Sequence, residues 1–144
     1  MYEVILFPTD GSGPGDLALD HAVDLAEAYG ARLEVVSVVD TGVGTEAGVV
    51  DIYASLEDAA DRAIADAVER ARSAGLDDVR GTVLQGTPHR AILEFADERD
   101  VDMIVMGTHG RTGLDRYLLG SVTEKIVRLA DVPVLTVRTT EAPA

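Results

Sequence analysis

The 144-residue chain is long enough for one domain with a sizeable core and short for two. Hydrophobic residues make up 47% and aromatic residues only 4%, so we expect an aliphatic core. Cysteine is absent, which excludes disulfides and thiolate sites. No apolar run approaches the roughly 18 residues of a membrane span, and residues 2–7 are too short for a signal peptide, so a cytoplasmic protein is expected.

The charge balance is strongly acidic. Sixteen Asp and ten Glu against eleven Arg and one Lys give a formal net charge of −14. Concentrated salt screens such self-repulsion, because the Debye length falls to about 3 Å at 1 M. The composition favours a salt-adapted cytoplasm, as in halophilic archaea, over an ordinary acidic mesophilic protein. It also disfavours nucleic acid as a partner, since phosphate backbones would be repelled.

Apolar runs alternate with segments of helical period along the chain. We predict strands at 4–7, 33–39, 79–84, 103–106 and 134–137. We predict helices at 14–29, about 52–74, 88–98 and 122–130. This alternation is typical of an α/β protein whose parallel sheet is covered by helices on both faces.

The helices have apolar faces at helical spacing. In the first helix, Leu17, His21, Ala22 and Leu25 are predicted to face inward, with His21 in or beside the core. The second helix has a narrow inner face rich in alanine, at Ile52, Leu56, Ala59, Ala60, Ala63, Ala67 and Ala71.

Strand composition predicts the order of the sheet. The first, second and fourth strands are nearly continuous in apolar residues, whereas polar residues interrupt the third and fifth, as expected at edges. Short right-handed crossovers then favour the order 3-2-1-4-5 in an open, doubly wound sheet. Ligands of such sheets bind beyond the carboxyl ends of the strands where the winding reverses, here strands 1 and 4.

A glycine motif follows strand 4. Gly107, Gly110 and Gly120 precede Ser121, at the predicted start of the last helix. Glycines allow backbone to approach a ligand closely, and a helix N-terminus offers N–H groups to an anion. Ser121 and Glu124 match a capping box. The motif therefore predicts a phosphorylated ligand.

Two other phosphate motifs are excluded. A Walker loop needs Lys directly after its last glycine, but the one Lys of the chain is Lys125. The dinucleotide fingerprint would follow strand 1, where Asp16 occupies its last glycine position and Pro14 its fourth position.

The motif resembles that of the universal stress proteins. Their nucleotide-binding members carry G-x-x-G-x9-G-[ST], which Gly107, Gly110, Gly120 and Ser121 satisfy. Other segments that resemble the family follow in the right order, at 4–12, 86–88, 101–107 and 133–137.

The resemblance implies an α/β domain of the adenine-nucleotide alpha-hydrolase type that binds ATP, with Mg²⁺ or Mn²⁺, between strands 1 and 4. It also implies a homodimer paired through strand 5, from about Pro133 to Val137. The implied contacts are Pro8, Thr9 and Asp10 on the adenosine side, the Val38 backbone at adenine, Met106, Gly107 and Gly110 at ribose and phosphates, and Gly120, Ser121, Val122 and Thr123 at the phosphates.

Three further roles stay open. Asp10 could ligate ribose or a metal, or hold the turn before the first helix. His109 either approaches the phosphates or is incidental to the loop. Arg111 either reaches a terminal phosphate as a charged donor or is a solvated loop residue.

The sequence supports binding better than turnover, because no spacing assigns a base or a water-positioning group for ATP hydrolysis. We therefore expect an ATP-binding stress-response regulator over residues 1–138, with a flexible tail at 139–144. The alternatives are a slow ATP-hydrolysing or phosphoryl-transfer enzyme in the same pocket, and an interaction domain that binds no nucleotide. The segment from Asp40 to Val50 is either a loop over the site or an idle excursion.

Overall fold

The computed structural model describes residues 1–11, 15–41, 49–108 and 120–138, without the side chains of 15–16 and 49–53. The tail at 139–144 and Pro14 lie outside these residues, as do residues 42–48 of the segment predicted as a loop from Asp40 to Val50; Asp40 ends a strand, and Val49 and Val50 begin a helix. A five-stranded parallel sheet has the order β3-β2-β1-β4-β5, which confirms the predicted order and both edge strands. The strands are β1 Val4–Pro8, β2 Arg32–Asp40, β3 Val79–Gly86, β4 Met103–Gly107 and β5 Val134–Val137.

Four helices cover the two faces of this sheet in the described part of the chain. Side chains of the first two helices join one buried cluster, with Ile5 and Val35 of the sheet. Side chains of the last two join a second cluster on the opposite face, with Leu6 and Ile104. The helices are α1 Gly15–Tyr29, α2 Val49–Ser73, α3 Pro88–Glu98 and α4 Ser121–Leu129.

The predicted inner face of α1 was wrong in part. Leu17 is 45% exposed, and His21 is exposed rather than buried in or beside the core. The buried stripe lies one position further along, on the face of α1 that packs against the sheet. That stripe consists of Ala18, Leu19, Ala22, Val23 and Ala26. The alanine face of α2 is confirmed at Ala60, Ala63, Ala67 and Ala71, all of which are buried.

Three helices end in the same C-terminal motif, but with different residues at its left-handed position. Gly30 (φ 66°) follows α1 and Gly75 (φ 104°) follows α2, whereas Asp100 (φ 54°) follows α3. After α3 the Val101 N–H donates to the Ala96 carbonyl at 2.9 Å, which closes a Schellman turn. Aspartate tolerates this backbone conformation, but glycine adopts it at lower cost.

We expect Asp100→Gly to raise the free energy of unfolding by up to about 1 kcal/mol, because it relieves the left-handed backbone of a residue with a Cβ. Gly75→Asp, at the equivalent position after α2, should lower it. Urea unfolding of both variants in one buffer measures the two changes. A destabilised Asp100→Gly would mean that the carboxylate contributes more to the native state than the strain costs.

Glu34 lies in the middle of β2 and is fully buried, although the sequence there indicates an apolar strand. Its Oε2 accepts a hydrogen bond from Arg32 Nε at 3.0 Å and lies 3.7 Å from Arg99 Nη1. Its Oε1 has no hydrogen-bond partner among the described residues. The Arg99 guanidinium also lies 4.8 Å from the centre of the Phe95 ring. The core therefore depends on two arginines to neutralise a buried carboxylate.

We expect Arg32→Ala to lower the free energy of unfolding by about 3 kcal/mol, since it removes the closer partner of a buried charge. Adding Glu34→Leu to that variant should restore most of the loss, because no charge then stays buried. Arg128→Ala is the matched control: it breaks an exposed pair with Glu124 and should cost at most about 0.5 kcal/mol. Equal losses for Arg32→Ala with and without Glu34→Leu would contradict this account.

Candidate functional site

The candidate site lies where β1 and β4 end side by side in the middle of the sheet. These strands pair in parallel, with Ile5 opposite Met103 and Leu6 opposite Ile104. The chain leaves β1 for α1 on one face and leaves β4 for the opposite face, which carries α4. The two connections therefore diverge and leave a crevice beyond the strand ends, at the point where such sheets bind ligands.

A tight turn forms the β1 side of this crevice. The Thr9 N–H donates to the Val36 carbonyl at 2.8 Å, and the Gly11 N–H donates to Thr9 Oγ1 at 3.1 Å. Gly11 has a φ of 83°, which favours glycine. Pro8 and Thr9 are half-buried, whereas Asp10 is exposed at the tip of the turn. The turn thus presents the Asp10 carboxylate to solvent at the strand end.

The backbone of Val38 faces the same crevice. β1 pairs with β2 only as far as Pro8 opposite Val36, and β2 continues beyond it to Asp40. The Val36 carbonyl points toward β1, since it accepts from Thr9. Alternate residues of a strand direct their N–H and C=O groups to the same side. Val38 therefore directs both groups to that side, beyond the end of β1.

Two hydrogen bonds bring the ends of the glycine motif together on the β4 side. The Gly120 N–H donates to the Thr108 carbonyl at 2.8 Å, and the Thr123 hydroxyl donates to the Gly107 carbonyl at 3.0 Å. The Thr108 N–H in turn donates to the Val137 carbonyl at 3.0 Å. The start of α4 is thereby fixed to the carboxyl end of β4. His109, Gly110 and Arg111 lie outside the described residues.

Thr108 is a residue that the sequence prediction missed. Its backbone joins β5 to the start of α4, yet its side chain type carries no motif signal. Its position between Gly107 and His109 was the one signal in the sequence that could have placed it at the site. Met106, by contrast, is 6% exposed and belongs to the core cluster beneath the crevice, so its side chain is mostly buried.

The predicted capping box at α4 was wrong by one residue. Gly120 is the N-cap, Ser121 is the first helical residue, and no side chain caps this helix. No capping box forms, because the N-cap is a glycine without a side chain and the Glu124 N–H bonds the Gly120 carbonyl rather than the Ser121 hydroxyl. The Glu124 side chain accepts instead from Arg128 at 2.7 Å. The N–H groups of Ser121, Val122 and Thr123 have no acceptor within the helix. They therefore form an N-terminus suited to an anion.

The Thr123 side chain has a structural task within the site. It is 5% exposed, and its hydroxyl donates to the Gly107 carbonyl. Only its N–H group is therefore left to donate to a ligand. Ser121 is exposed, and its hydroxyl makes no cap bond.

Among the described residues, no group of three or more His, Asp or Glu is arranged to hold a metal ion. In that same part of the chain, no helix is long and apolar enough to cross a membrane.

Comparison with known proteins identifies the family. The model of the universal stress protein family matches residues 1–138. A universal stress protein of Methanocaldococcus jannaschii is 36% identical over 142 residues, which span 96% of this chain and 83% of that protein. A putative universal stress protein of Staphylococcus aureus is 35% identical over 146 residues, covering 99% of this chain and 88% of its own length.

A solved universal stress protein in complex with cAMP superposes with a TM-score of 0.73 at 30% identity, and the match covers 96% of this chain and 98% of that one. The fold and the crevice at its switch point define a doubly wound α/β protein of ligand-binding architecture. The chain belongs to the universal stress protein family.

We expect Thr123→Val to lower the free energy of unfolding by about 1 kcal/mol, because the isosteric side chain leaves the Gly107 carbonyl without its donor. Thr123→Ser keeps the hydroxyl and should retain most of the stability. Chemical unfolding of both variants measures the difference. An unchanged free energy of unfolding in Thr123→Val would contradict a stabilising role for this hydrogen bond, because that variant keeps the methyl group and loses only the hydroxyl.

Proposed function

We propose that this protein binds ATP, with Mg²⁺ or Mn²⁺, in the crevice between β1 and β4 and acts as a nucleotide-dependent regulator of the stress response. The observation that carries the proposal is the start of α4, which hydrogen bonds from Gly120 and Thr123 hold against the end of β4. This contact holds a helix N-terminus beside the ends of the central strands, where a phosphate group would meet it.

Electrostatics supports an anion at this position in spite of the charge of the chain. A formal net charge of −14 repels phosphates at long range, but that repulsion is screened by salt. The N–H groups of Ser121 and Val122 act at hydrogen-bond distance and with the positive end of the helix dipole. His109, Gly110 and Arg111, which belong to the same motif segment, are proposed as further contacts to ribose and phosphates.

The adenosine side is supported by backbone geometry. Val38 directs its N–H and C=O groups past the end of β1, so the proposed adenine contact needs no side chain. Pro8 and Thr9 would border the sugar. The relative in complex with cAMP, 30% identical to this chain, supports an adenine nucleotide as the ligand class. ATP within that class rests on the intact glycine motif.

A metal ion would be held chiefly by the nucleotide. Asp10 is the exposed carboxylate at the end of β1 and fits a single ligand to a hard cation. Mg²⁺ commonly takes one or two carboxylates beside phosphate oxygens and water, so a multi-residue cage is not required.

We further propose that the protein works in a salt-rich cytoplasm, as a homodimer paired through β5. The acidic, lysine-poor composition supports the salt adaptation. β5 is an edge strand, and Leu135 on it is 36% exposed, so pairing with a second copy would cover both an open edge and an apolar side chain.

We expect Gly120→Val to weaken ATP binding at least about tenfold, because a branched side chain at the N-cap would occupy the space of the phosphates. Gly120 has φ −57° and ψ 150°, which any residue adopts, so the variant should fold. Thr87→Val, at the N-cap of α3, is the matched control and should bind ATP as the native chain does. Calorimetric titration with Mg²⁺–ATP in about 1 M KCl measures all three proteins.

Other outcomes distinguish the alternatives. Unchanged ATP affinity in Gly120→Val would defeat the site assignment. Phosphate release above about one turnover per minute, lost in Asp10→Ala, would instead identify an ATP-hydrolysing enzyme. A native protein that neither retains nor takes up ATP while still binding a partner protein would be an interaction domain.

A further inference from the structure

A groove lies at the opposite edge of the domain from the candidate site. It runs between the C-terminal halves of α3 and α4 and has a volume of about 390 Å³. Both helices run from the carboxyl edge of the sheet back to its amino edge, so their C-termini end together there. Val101 and Val132, each two residues before a strand (β4 and its neighbour β5), close the bottom of the groove. This surface is separate from the proposed nucleotide crevice.

The floor of the groove is apolar. Leu93 of α3, Leu129 of α4 and Val132 line it, and Ile104 of the core lies beneath. Leu129 is 54% exposed, which is a large share for a leucine at a concave position. An apolar floor with an exposed large side chain is typical of a surface that a partner covers.

The rim of the groove is acidic. Glu94, Asp97, Asp100 and Asp131 line it, and all four side chains are exposed. Counting the residues that the structure describes, no Lys, Arg or His lines the groove. The C-terminal ends of α3 and α4 add the negative ends of two helix dipoles. The whole rim therefore favours positive charge.

The nearest arginines in sequence are engaged elsewhere. Arg99 approaches the buried Glu34 carboxylate at 3.7 Å and stacks on Phe95. Arg128 pairs with Glu124 at 2.7 Å, one turn back along α4. Neither is among the residues that line the groove, so the rim carboxylates are not neutralised by these neighbours.

We propose that this groove binds a basic amphipathic segment of a partner protein. Apolar side chains of the segment would cover Leu93 and Leu129, while its Lys or Arg side chains would meet the four rim carboxylates. A second copy of this chain is disfavoured as the occupant, because its acidic surface would place like charges together.

Asp100 allows the charge to be tested without harm to the fold. Its left-handed φ of 54° is better suited to glycine, so Asp100→Gly removes a rim carboxylate and relieves the backbone. We expect the triple variant Asp97→Asn, Asp100→Gly, Asp131→Asn to keep its stability. The control triple Asp58→Asn, Asp61→Asn, Asp66→Asn changes the net charge equally on the exposed face of α2.

The probe is a fluorescein-labelled synthetic helix with Leu on one face and Lys on the other, titrated by anisotropy. We expect the native chain to bind it, the groove triple to bind at least about tenfold more weakly, and the α2 triple to stay within about twofold of the native chain. Leu129→Ser should also weaken binding, whereas Leu17→Ser, at a similarly exposed leucine of α1, should not. A peptide with Ser in place of Leu should bind weakly to every variant.

Three results would overturn the proposal. The first is no binding of the Leu and Lys peptide to the native chain. The second is equal weakening by the two triples, which would indicate attraction to net charge alone. The third is a set of amide chemical-shift changes that avoids Ala96, Asp97, Leu129 and Val132. Urea unfolding of each variant distinguishes lost binding from lost structure. If the groove triple proves unstable, the comparison of Leu129→Ser with Leu17→Ser tests the proposal by itself.

Discussion

The parallel pairing of β1 with β4 is the constraint on which the rest of this structure depends. It joins the two halves of the chain in the middle of the sheet. Because β1 leads to β2 on one side and β4 leads to β5 on the other, right-handed crossovers place the two connections on opposite faces. Because the connections diverge, the backbone beyond Pro8 and Gly107 is left facing a crevice rather than a helix. The glycine motif lies beside this crevice, because the Gly120 N–H donates to the Thr108 carbonyl and α4 begins there.

The strand order could be predicted because burial on both faces leaves a simple signal. β1 and β4 are almost purely aliphatic, whereas Arg80 and Thr136 mark the strands that turned out to be edges. Side-chain orientation on α1 could not be predicted in the same way, since two overlapping apolar stripes share Ala22. Packing on the sheet buried the stripe from Ala18 to Ala26 and left Leu17 exposed.

The place of the candidate site in the fold could be predicted in outline, but its hydrogen bonds could not. Ser121 was predicted to be the N-cap, whereas the N-cap is Gly120, which has no side chain to form a capping box. Thr123 illustrates the same limit: its hydroxyl is used inside the site by Gly107, a partner sixteen residues away in sequence. The buried Glu34 escaped prediction because its burial depends on the packed sheet. Of its two partners, Arg32 is close in sequence, but Arg99 follows α3 and is brought near only by the fold.

α4 connects the two surfaces for which we propose ligands. Its nine residues span about 13 Å, from Gly120 at the crevice to Leu129 in the acidic groove. Ile126, between them, is fully buried against the sheet, so the helix is held at its middle while both ends lie at sites of opposite charge preference. The N-terminus suits an anion and the C-terminal groove suits a cation, as the helix dipole requires. One short helix thus supplies each surface with the electrostatic end that suits its proposed ligand.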